Sequence, residues 1–190
     1  MLRAKNNKTK PRIKHRPFLK WAGGKFRLTD DLNRVFPKRK QCLIEPFVGA
    51  GAVFLNSHFE RYILADINPD LINLFNIVKE NVDAYIEACK PIFFAENANT
   101  AEYYYAQRDA FNQSTDPFDR SVLFLYLNRF GFNGLCRYNS KNEFNVPFGA
   151  YKTHYFPEDE LRYFAHKAQS AVFLCADFQQ TFELADKHLS

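Results

Sequence analysis

The chain has 190 residues, of which 46% are hydrophobic and 25% charged, with 26 Lys and Arg against 21 Asp and Glu. A chain of this length and composition can bury a substantial core, which excludes disulfide-dependent, collagen-like and wholly disordered classes of protein. The uncharged apolar runs at 121–128 and 171–176 are far shorter than the ~20 residues of a membrane-spanning helix, so we expect no association with a membrane.

Positive charge is concentrated at the N-terminus. Residues 1–40 carry 14 Lys and Arg and two acids, whereas residues 41–190 carry 12 and 19. We expect residues 1–16, with seven cations, to form a basic disordered arm, and no apolar segment follows that would make it a secretory signal. Such an arm is typical of segments that bind phosphates, although a tail that only aids solubility gives the same pattern.

The four cysteines are widely separated in the sequence, at Cys42, Cys89, Cys136 and Cys175. None forms a Cys-x-x-Cys pair or a Cys/His cluster, so no zinc site or redox motif is predicted. We expect buried, reduced thiols in a cytoplasmic protein.

Residues 17–90 alternate between predicted strands and helices. We expect a helix from an N-cap at Thr29 to Phe36, a strand over 42–47, a helix over 52–59, a strand over 61–66, and a helix that Asn68 caps and that continues toward Cys89. A Gly-Ala-Gly turn at 49–51 joins the first strand to its helix. This order predicts a parallel sheet with crossover helices, as in nucleotide-binding α/β proteins.

Residues 91–156 have a different character. Helices are predicted across 100–130, capped by Thr100 and Thr115, and an Asn-rich aromatic segment with a hairpin tip at 139–142 follows. A helix to about Lys167 and a third strand at 171–177 then return to the sheet. We therefore expect a helical and hairpin insertion at 91–156, with the sheet domain resuming over 157–190.

Three features predict a nucleoside site at the carboxyl ends of the strands. Gly49 and Gly51 let the backbone approach a ligand, and Asp66 ends the second strand, where an acid can accept hydrogen bonds from ribose hydroxyls. Phe54 occupies the place of a third dinucleotide-binding glycine, which disfavours nicotinamide or flavin. Asp177 follows the third strand and could accept from an adenine amino group, although acids there often only cap a helix.

Four motifs together resemble the DNA adenine methyltransferase (Dam) family from about residue 16 to residue 190. They are Phe-Leu-Lys-Trp-Ala-Gly-Gly-Lys at 18–25, Glu-Pro-Phe-Val-Gly-Ala-Gly at 45–51, Ala-Asp-Ile-Asn at 65–68 and Asn-Arg-Phe-Gly-Phe-Asn-Gly-Leu-Cys-Arg-Tyr at 128–138. The resemblance implies a bacterial, nucleoid-associated enzyme that methylates N6 of adenine in GATC of double-stranded DNA, using S-adenosylmethionine on a Rossmann-like sheet. We expect it to act as a monomer.

The resemblance also implies which residues form each site. The cofactor-binding residues would be Trp21, Lys25, Phe47, Gly49, Gly51, Asp66, Ile67, Asp177 and Phe178. The DNA-binding residues would be Lys20, Phe132, Asn133, Leu135, Arg137, Pro147, Tyr151 and Lys152. Phe132 would intercalate, Arg137 would make a bidentate contact with guanine, and Tyr151 and Lys152 would lie along the flanking backbone. Ala150 departs from the family, whose members place Arg there.

The family's catalytic Asp-Pro-Pro-Tyr is absent from the 190 residues, whose nine prolines include no Pro-Pro pair. That motif holds and stacks the extruded adenine, so we expect the sheet to be incomplete at its C-terminus, the chain to aggregate readily, and the chain alone to be inactive. Two other interpretations stay open: a DNA-binding remnant without catalysis, and a nucleotide-dependent oxidoreductase.

Overall fold

The computed structural model of the chain describes residues 13–39 and 41–189. Most of the predicted basic arm, residues 1–12, lies outside the described residues. Residues 13–16, which we expected to be disordered, are ordered: the His15 backbone exchanges two 2.9 Å hydrogen bonds with the Asn56 side chain, and the His15 ring stacks on Tyr163 with 3.5 Å between centroids.

Three strands form one parallel sheet in the order β1-β2-β3. They are β1 (Cys42–Glu45), β2 (Arg61–Asp66) and β3 (Ala171–Cys175). In this register Glu45 lies opposite Leu64, and Asp66 lies opposite Cys175. The predicted parallel sheet is confirmed, and β2 has the predicted bounds.

Eight helices belong to the described part of the chain. They are α1 (Thr29–Val35), α2 (Ala52–Asn56), α3 (Pro69–Glu80), α4 (Val82–Phe93), α5 (Ala101–Gln113), α6 (Pro117–Phe130), α7 (Glu158–Ala168) and α8 (Phe178–Leu189). Short 3-10 turns occur at Lys25–Leu28 and Phe132–Gly134. In the part of the chain that the structure describes, no helix is long and apolar enough to cross a membrane.

Three of the predicted helix boundaries are wrong. Thr29 is the first residue of α1 and not its cap, because its hydroxyl donates to the Phe26 carbonyl in the preceding 3-10 turn. Asp116, not Thr115, caps α6 by accepting the Asp119 N–H at 2.8 Å. The helix predicted to run toward Cys89 is two helices, because Asn81 leaves the helical conformation and caps α4.

Helix α2 is also shorter than predicted, since the chain becomes extended at Ser57. The core lies between one face of the sheet and the helices. In the central helix α6, residues 121–128 are buried on every side of the helix, as the apolar run at 122–127 predicted. Tyr62, Leu64 and Phe173 present the sheet to this core, while Val172 on the opposite face is 37% exposed. This arrangement leaves the carboxyl ends of β1 and β2 open.

Candidate functional site: a cofactor cavity beside a DNA-reading surface

A cavity of about 310 Å³ opens at the carboxyl ends of β1 and β2. Its walls include five of the nine predicted cofactor residues, Trp21, Lys25, Phe47, Gly49 and Asp66, together with Glu45. The segment at 21–25 forms one wall, and the turn after β1 forms another. The structure therefore brings together two motifs that lie more than twenty residues apart in the sequence.

Trp21 and Gly49 are in direct contact in this cavity. Gly49 has a φ of +49°, and a Cβ added there would lie 2.9 Å from the Trp21 indole nitrogen. Only glycine fits this conformation and this close contact without displacing the ring. Gly51, with a φ of +76°, precedes α2 as its cap but does not line the cavity.

Asp66 closes the turn by hydrogen bonds from two backbone amides. Its Oδ2 accepts the Gly49 N–H at 3.1 Å, and its Oδ1 accepts the Asn68 N–H at 3.1 Å. Each carboxylate oxygen has a further acceptor position, because an ionised carboxylate has about four in all. Asp66 is thus fixed against the glycine turn and retains the capacity to accept hydroxyl donors from a ligand.

Glu45 is a cavity residue that the sequence reasoning did not assign to the site. Burial raises the pKa of its carboxyl to about 7, against the opposing effect of the nearby Lys25 charge. Its Oε2 is buried and accepts no hydrogen bond from the described residues. A buried acceptor of this kind is costly unless a donor reaches it, and a cationic group bound in the cavity would provide one.

Besides Gly51, three more of the predicted cofactor residues lie outside the cavity wall. Ile67 is 76% exposed and Phe178 49% exposed, and the Phe178 ring lies 6.2 Å from that of Phe47. Asp177 accepts the Gln180 N–H at 2.9 Å at the start of α8. Phe178 therefore extends the site beyond Phe47 as an open apolar surface, while the Asp177 carboxylate serves as a helix cap.

The predicted DNA-binding residues meet on a neighbouring surface that is centred on the 131–134 turn. The Asn133 N–H donates to the Tyr151 hydroxyl at 2.8 Å, and that hydroxyl donates to the Gly131 carbonyl at 3.1 Å. The Phe132 N–H donates to the Pro147 carbonyl at 2.9 Å. These bonds hold Asn133 at a φ of +53° and leave the Phe132 side chain 47% exposed.

Lys20 joins this surface to the cavity wall. The buried Asn128 side chain makes two 2.8 Å hydrogen bonds with the backbone of Lys20. The Lys20 ammonium donates to the Arg129 carbonyl at 2.8 Å and lies 3.7 Å from the centroid of the Tyr151 ring. Burial, with a smaller effect of the Arg129 charge, lowers the pKa of Lys20 to about 8. Gly134 packs so closely on Lys20 that a Cβ there would overlap the lysine side chain.

The remaining DNA-binding candidates differ in how firmly they are held. Arg137 is exposed, and Asn145 orients its guanidinium through bonds of 2.7 and 3.0 Å. Leu135 packs partly against the core. Pro147 and Lys152 are exposed.

The fold and the site together define an α/β protein with an acid-lined cavity at the ends of two parallel strands and an exposed surface of aromatic and basic side chains. The model of the D12 class N6 adenine-specific DNA methyltransferase family matches residues 21–189. The chain therefore belongs to this family of enzymes.

Curated relatives named DNA adenine methylase match most of the chain. The relative from Haemophilus influenzae is 82% identical over 187 residues, which are 98% of this chain and 65% of the relative. The relative from Escherichia coli K12 is 61% identical over 91% of this chain and 62% of its own length, and that from Vibrio cholerae is 59% identical over 90% and 61%. The chain thus spans less than two thirds of the length of these relatives.

Proposed function

We propose that this chain provides the S-adenosylmethionine pocket and the DNA-reading surface of an adenine-N6 methyltransferase that acts on GATC. The observation that carries the proposal is the cavity at the ends of β1 and β2, in which the Asp66 carboxylate is fixed against the Gly49 turn. Two adjacent acids, Asp66 and Glu45, match the hydroxyl and ammonium donors of this cofactor. When bound, the cofactor supplies an electrophilic methyl group.

The chain's own residues would hold the cofactor by its polar ends. Asp66 would accept from the ribose hydroxyls, and Glu45 would accept from the ammonium group through the oxygen that has no protein donor. Trp21 and Phe47 would cover the methionine part, and Lys25 would face its carboxylate. Ile67 and Phe178, both exposed at the open end, would enclose the adenine ring, and Asp177 would lie beside them.

The DNA contacts follow from the neighbouring surface. Phe132 would enter the base stack next to the target adenine, with Asn133 beside the opened pair, since extrusion of a base requires a group that fills the gap. Arg137, oriented by Asn145, would contact guanine. Lys20, Leu135 and Pro147 would complete the reading of GATC. We propose that the enzyme acts as a monomer on the nucleoid DNA of the bacterial cytoplasm.

Methyl transfer requires acceptors for the adenine amino group and a ring that stacks on the flipped base. The 190 residues include no Asp-Pro-Pro-Tyr. We therefore expect the chain by itself to bind DNA and S-adenosylhomocysteine, the demethylated form of the cofactor, without methylating adenine. A second candidate function, DNA binding that is independent of any cofactor, is favoured by the exposed Phe132 side chain, which lies outside the cavity wall.

One experiment separates these functions. The purified chain is titrated into fluorescent duplexes that contain GATC or GTTC, with and without S-adenosylhomocysteine, and methyl transfer from labelled S-adenosylmethionine is measured in parallel. We expect binding that favours GATC and strengthens with S-adenosylhomocysteine, without transfer of label. Binding of the duplex by a chain that does not bind the labelled S-adenosylmethionine would favour the second candidate, and transfer to GATC but not GTTC would refute the expected inactivity.

A further inference from the structure

A continuous chain of hydrogen bonds runs from the cofactor cavity to the segment that carries the DNA-reading residues. Asp66 accepts the N–H of Gly49 on one side and that of Asn68 on the other, each at 3.1 Å. The Asn68 side-chain amide then donates to the Cys136 sulfur at 3.2 Å. Cys136 lies between two DNA-binding candidates, Leu135 and Arg137. The cavity and the DNA-reading residues are therefore connected by three successive bonds.

Asn68 has two separable tasks in this chain of bonds. Its side-chain oxygen caps α3 by accepting the N–H groups of Asp70 at 3.0 Å and Leu71 at 3.3 Å. Capping requires only the oxygen, and a serine oxygen serves equally well at that position. The amide nitrogen is therefore available for Cys136, and capping alone does not account for this contact.

A second link joins the same two regions two residues further along. The Tyr138 hydroxyl donates to Asp70 Oδ2 at 2.7 Å. Asp70 is 12% exposed and is held by both Nε and Nη2 of Arg120 at 2.9 Å, a bidentate pair that ties α3 to α6. Tyr138 is thus attached to a carboxylate that a bidentate arginine contact holds in place.

The Cys136 thiol and the Tyr138 hydroxyl both stay protonated at physiological pH. Burial raises the pKa of the Cys136 thiol to about 12 and raises the pKa of Tyr138 well above its ordinary value. Neither group ionises near neutrality, so neither contact acts as a pH-sensitive switch.

The two linked residues, Cys136 and Tyr138, are two positions apart in the sequence. The DNA-binding candidate Leu135 precedes them, and Arg137 lies between them. Leu135 has extended backbone, with φ −65° and ψ 147°, and Tyr138 is paired antiparallel with Phe144. Successive side chains of extended backbone face opposite ways. Fixing Cys136 and Tyr138 inward therefore fixes the outward side on which the exposed Arg137 stands, while Leu135 packs partly against the core.

From this arrangement we infer that Asn68 and Tyr138 are positioning residues that hold the DNA-reading segment 135–138 in register with the cofactor cavity. A ligand on Asp66 orders this segment through Asn68, and correct DNA strengthens the hold on that ligand by the same route, since coupling between two sites is reciprocal. The inference rests on the proposed function, and neither residue touches the reacting atoms.

Two substitutions each remove one of the hydrogen bonds to or from segment 135–138 and keep the other structural role of the residue. Asn68→Ser keeps a capping oxygen for α3 and removes the amide that reaches Cys136. Tyr138→Phe keeps the ring and removes only the hydroxyl. Tyr85→Phe is the matched control, because it also removes a buried tyrosine hydroxyl, which donates to the Ser121 carbonyl at 2.8 Å in the contact between α4 and α6.

Two readouts on the whole 190-residue chain test the inference. The first is hydrogen exchange of the amides at 135–138 with and without S-adenosylhomocysteine. The second is the dissociation constant of S-adenosylhomocysteine with and without a GATC duplex. In the wild-type chain we expect slower exchange on binding and an affinity about fivefold or more higher with the duplex. In Asn68→Ser and Tyr138→Phe we expect S-adenosylhomocysteine to leave the exchange at 135–138 unchanged and the duplex no longer to raise the affinity for S-adenosylhomocysteine fivefold. In the absence of DNA, the affinity of both variants for S-adenosylhomocysteine should be within about twofold of wild type.

Tyr85→Phe should lose some stability and keep the full coupling. Full coupling in both Asn68→Ser and Tyr138→Phe would overturn the inference, as would a wild-type chain that binds both ligands independently, and in either case the proposed function would stand. A wild-type chain that binds neither S-adenosylhomocysteine nor DNA would overturn the proposed function and the inference with it.

Discussion

At the scale of single residues, Glu45 makes the stability of the chain depend on pH in a defined direction. Its folded-state pKa of about 7 lies above the ordinary value of 4.5. Between these values the folded chain holds a proton that the unfolded chain has released, so the free energy of unfolding falls as pH rises from about 4.5 to 7. At pH 8 we expect Glu45→Gln to be more stable than wild type by about 3 kcal/mol.

Urea unfolding at pH 4 and pH 8 measures this difference. The two chains should be equally stable at pH 4, where Glu45 is protonated in both states. Glu60→Gln, at an exposed position, is the control and should change stability by no more than about 0.5 kcal/mol at either pH. Equal stability of Glu45→Gln and wild type at pH 8 would show that the carboxyl is solvated.

The proposed role of Lys20 in DNA binding predicts a pH dependence of binding in the alkaline range. Its pKa of about 8 means that the free chain loses this charge as pH rises from 7 to 9, so binding that needs the charge must take up a proton. We expect the affinity for a GATC duplex to fall by up to about tenfold per pH unit above pH 8. Lys20→Arg, which stays charged, should remove the pH dependence, whereas the same dependence in Lys20→Arg would assign it to another group.

Gly134 and Gly23 form a matched pair of left-handed glycines. A Cβ at Gly134, where φ is +59°, would overlap Lys20, whereas Gly23, at +71°, has no atom within 4 Å of that position. Chemical denaturation should show a cost of about 1 kcal/mol for Gly23→Ala, from backbone strain alone, and about 3 kcal/mol for Gly134→Ala, which adds overpacking. Equal costs would mean that Lys20 moves aside freely.

The sequence alone predicted those cavity residues whose position follows from the order of strands and turns. Gly49 and Asp66 were predictable because a glycine turn after one strand and an acid after the next must meet at the same edge of a parallel sheet. Glu45 was missed, because nothing in a single sequence shows that an acid in a strand is buried without a donor. The hydrogen bond from Asn68 to Cys136 spans 68 residues and leaves no local signal.

At the scale of elements, β2 was predicted to the residue because it is a central strand whose apolar run is bounded by Arg61 and Asp66. The break between α3 and α4 was missed for the opposite reason. Apolar residues continue at helical spacing past Asn81 to Tyr85 and Cys89, so periodicity alone predicts one helix. Only the capping bond that the Ala84 N–H donates to the Asn81 side-chain oxygen reveals the boundary.

The ion pair between Asp70 and Arg120 should dominate the attachment of α3 to α6. Arg120 is 23% exposed and also donates to two backbone carbonyls, those of Phe111 and Ser114. Removal of Arg120 leaves a buried carboxylate without its main partner, so we expect Arg120→Ala to lower the free energy of unfolding by about 3 kcal/mol. Urea titration measures the loss.

Arg162 provides the comparison for this pair. It also binds two acids, Asp83 at 2.6 Å and Glu158 at 2.9 Å, but its side chain is 45% exposed. Arg162→Ala should therefore cost less than about 1 kcal/mol. Similar losses for Arg120→Ala and Arg162→Ala would contradict the view that burial sets the strength of these contacts.

At the scale of the whole molecule, the three-stranded sheet places the proposed cofactor cavity beside the surface that carries the predicted DNA-binding residues. The cavity lies at the ends of β1 and β2, and Lys20 connects its wall to the turn that exposes Phe132. Membership of the D12 class N6 adenine-specific DNA methyltransferase family agrees with this arrangement. The central claim is that the cavity binds the adenosyl cofactor.

The most direct test is calorimetric titration of the chain with S-adenosylhomocysteine and, separately, with NAD. We expect one S-adenosylhomocysteine per chain, at least tenfold weaker binding by Asp66→Ala, equivalent to about 1.4 kcal/mol, and no heat from NAD. The exposed acid variant Glu60→Ala should bind as wild type does. Binding of NAD in place of S-adenosylhomocysteine, or equal binding by Asp66→Ala, would contradict the assignment of the cavity.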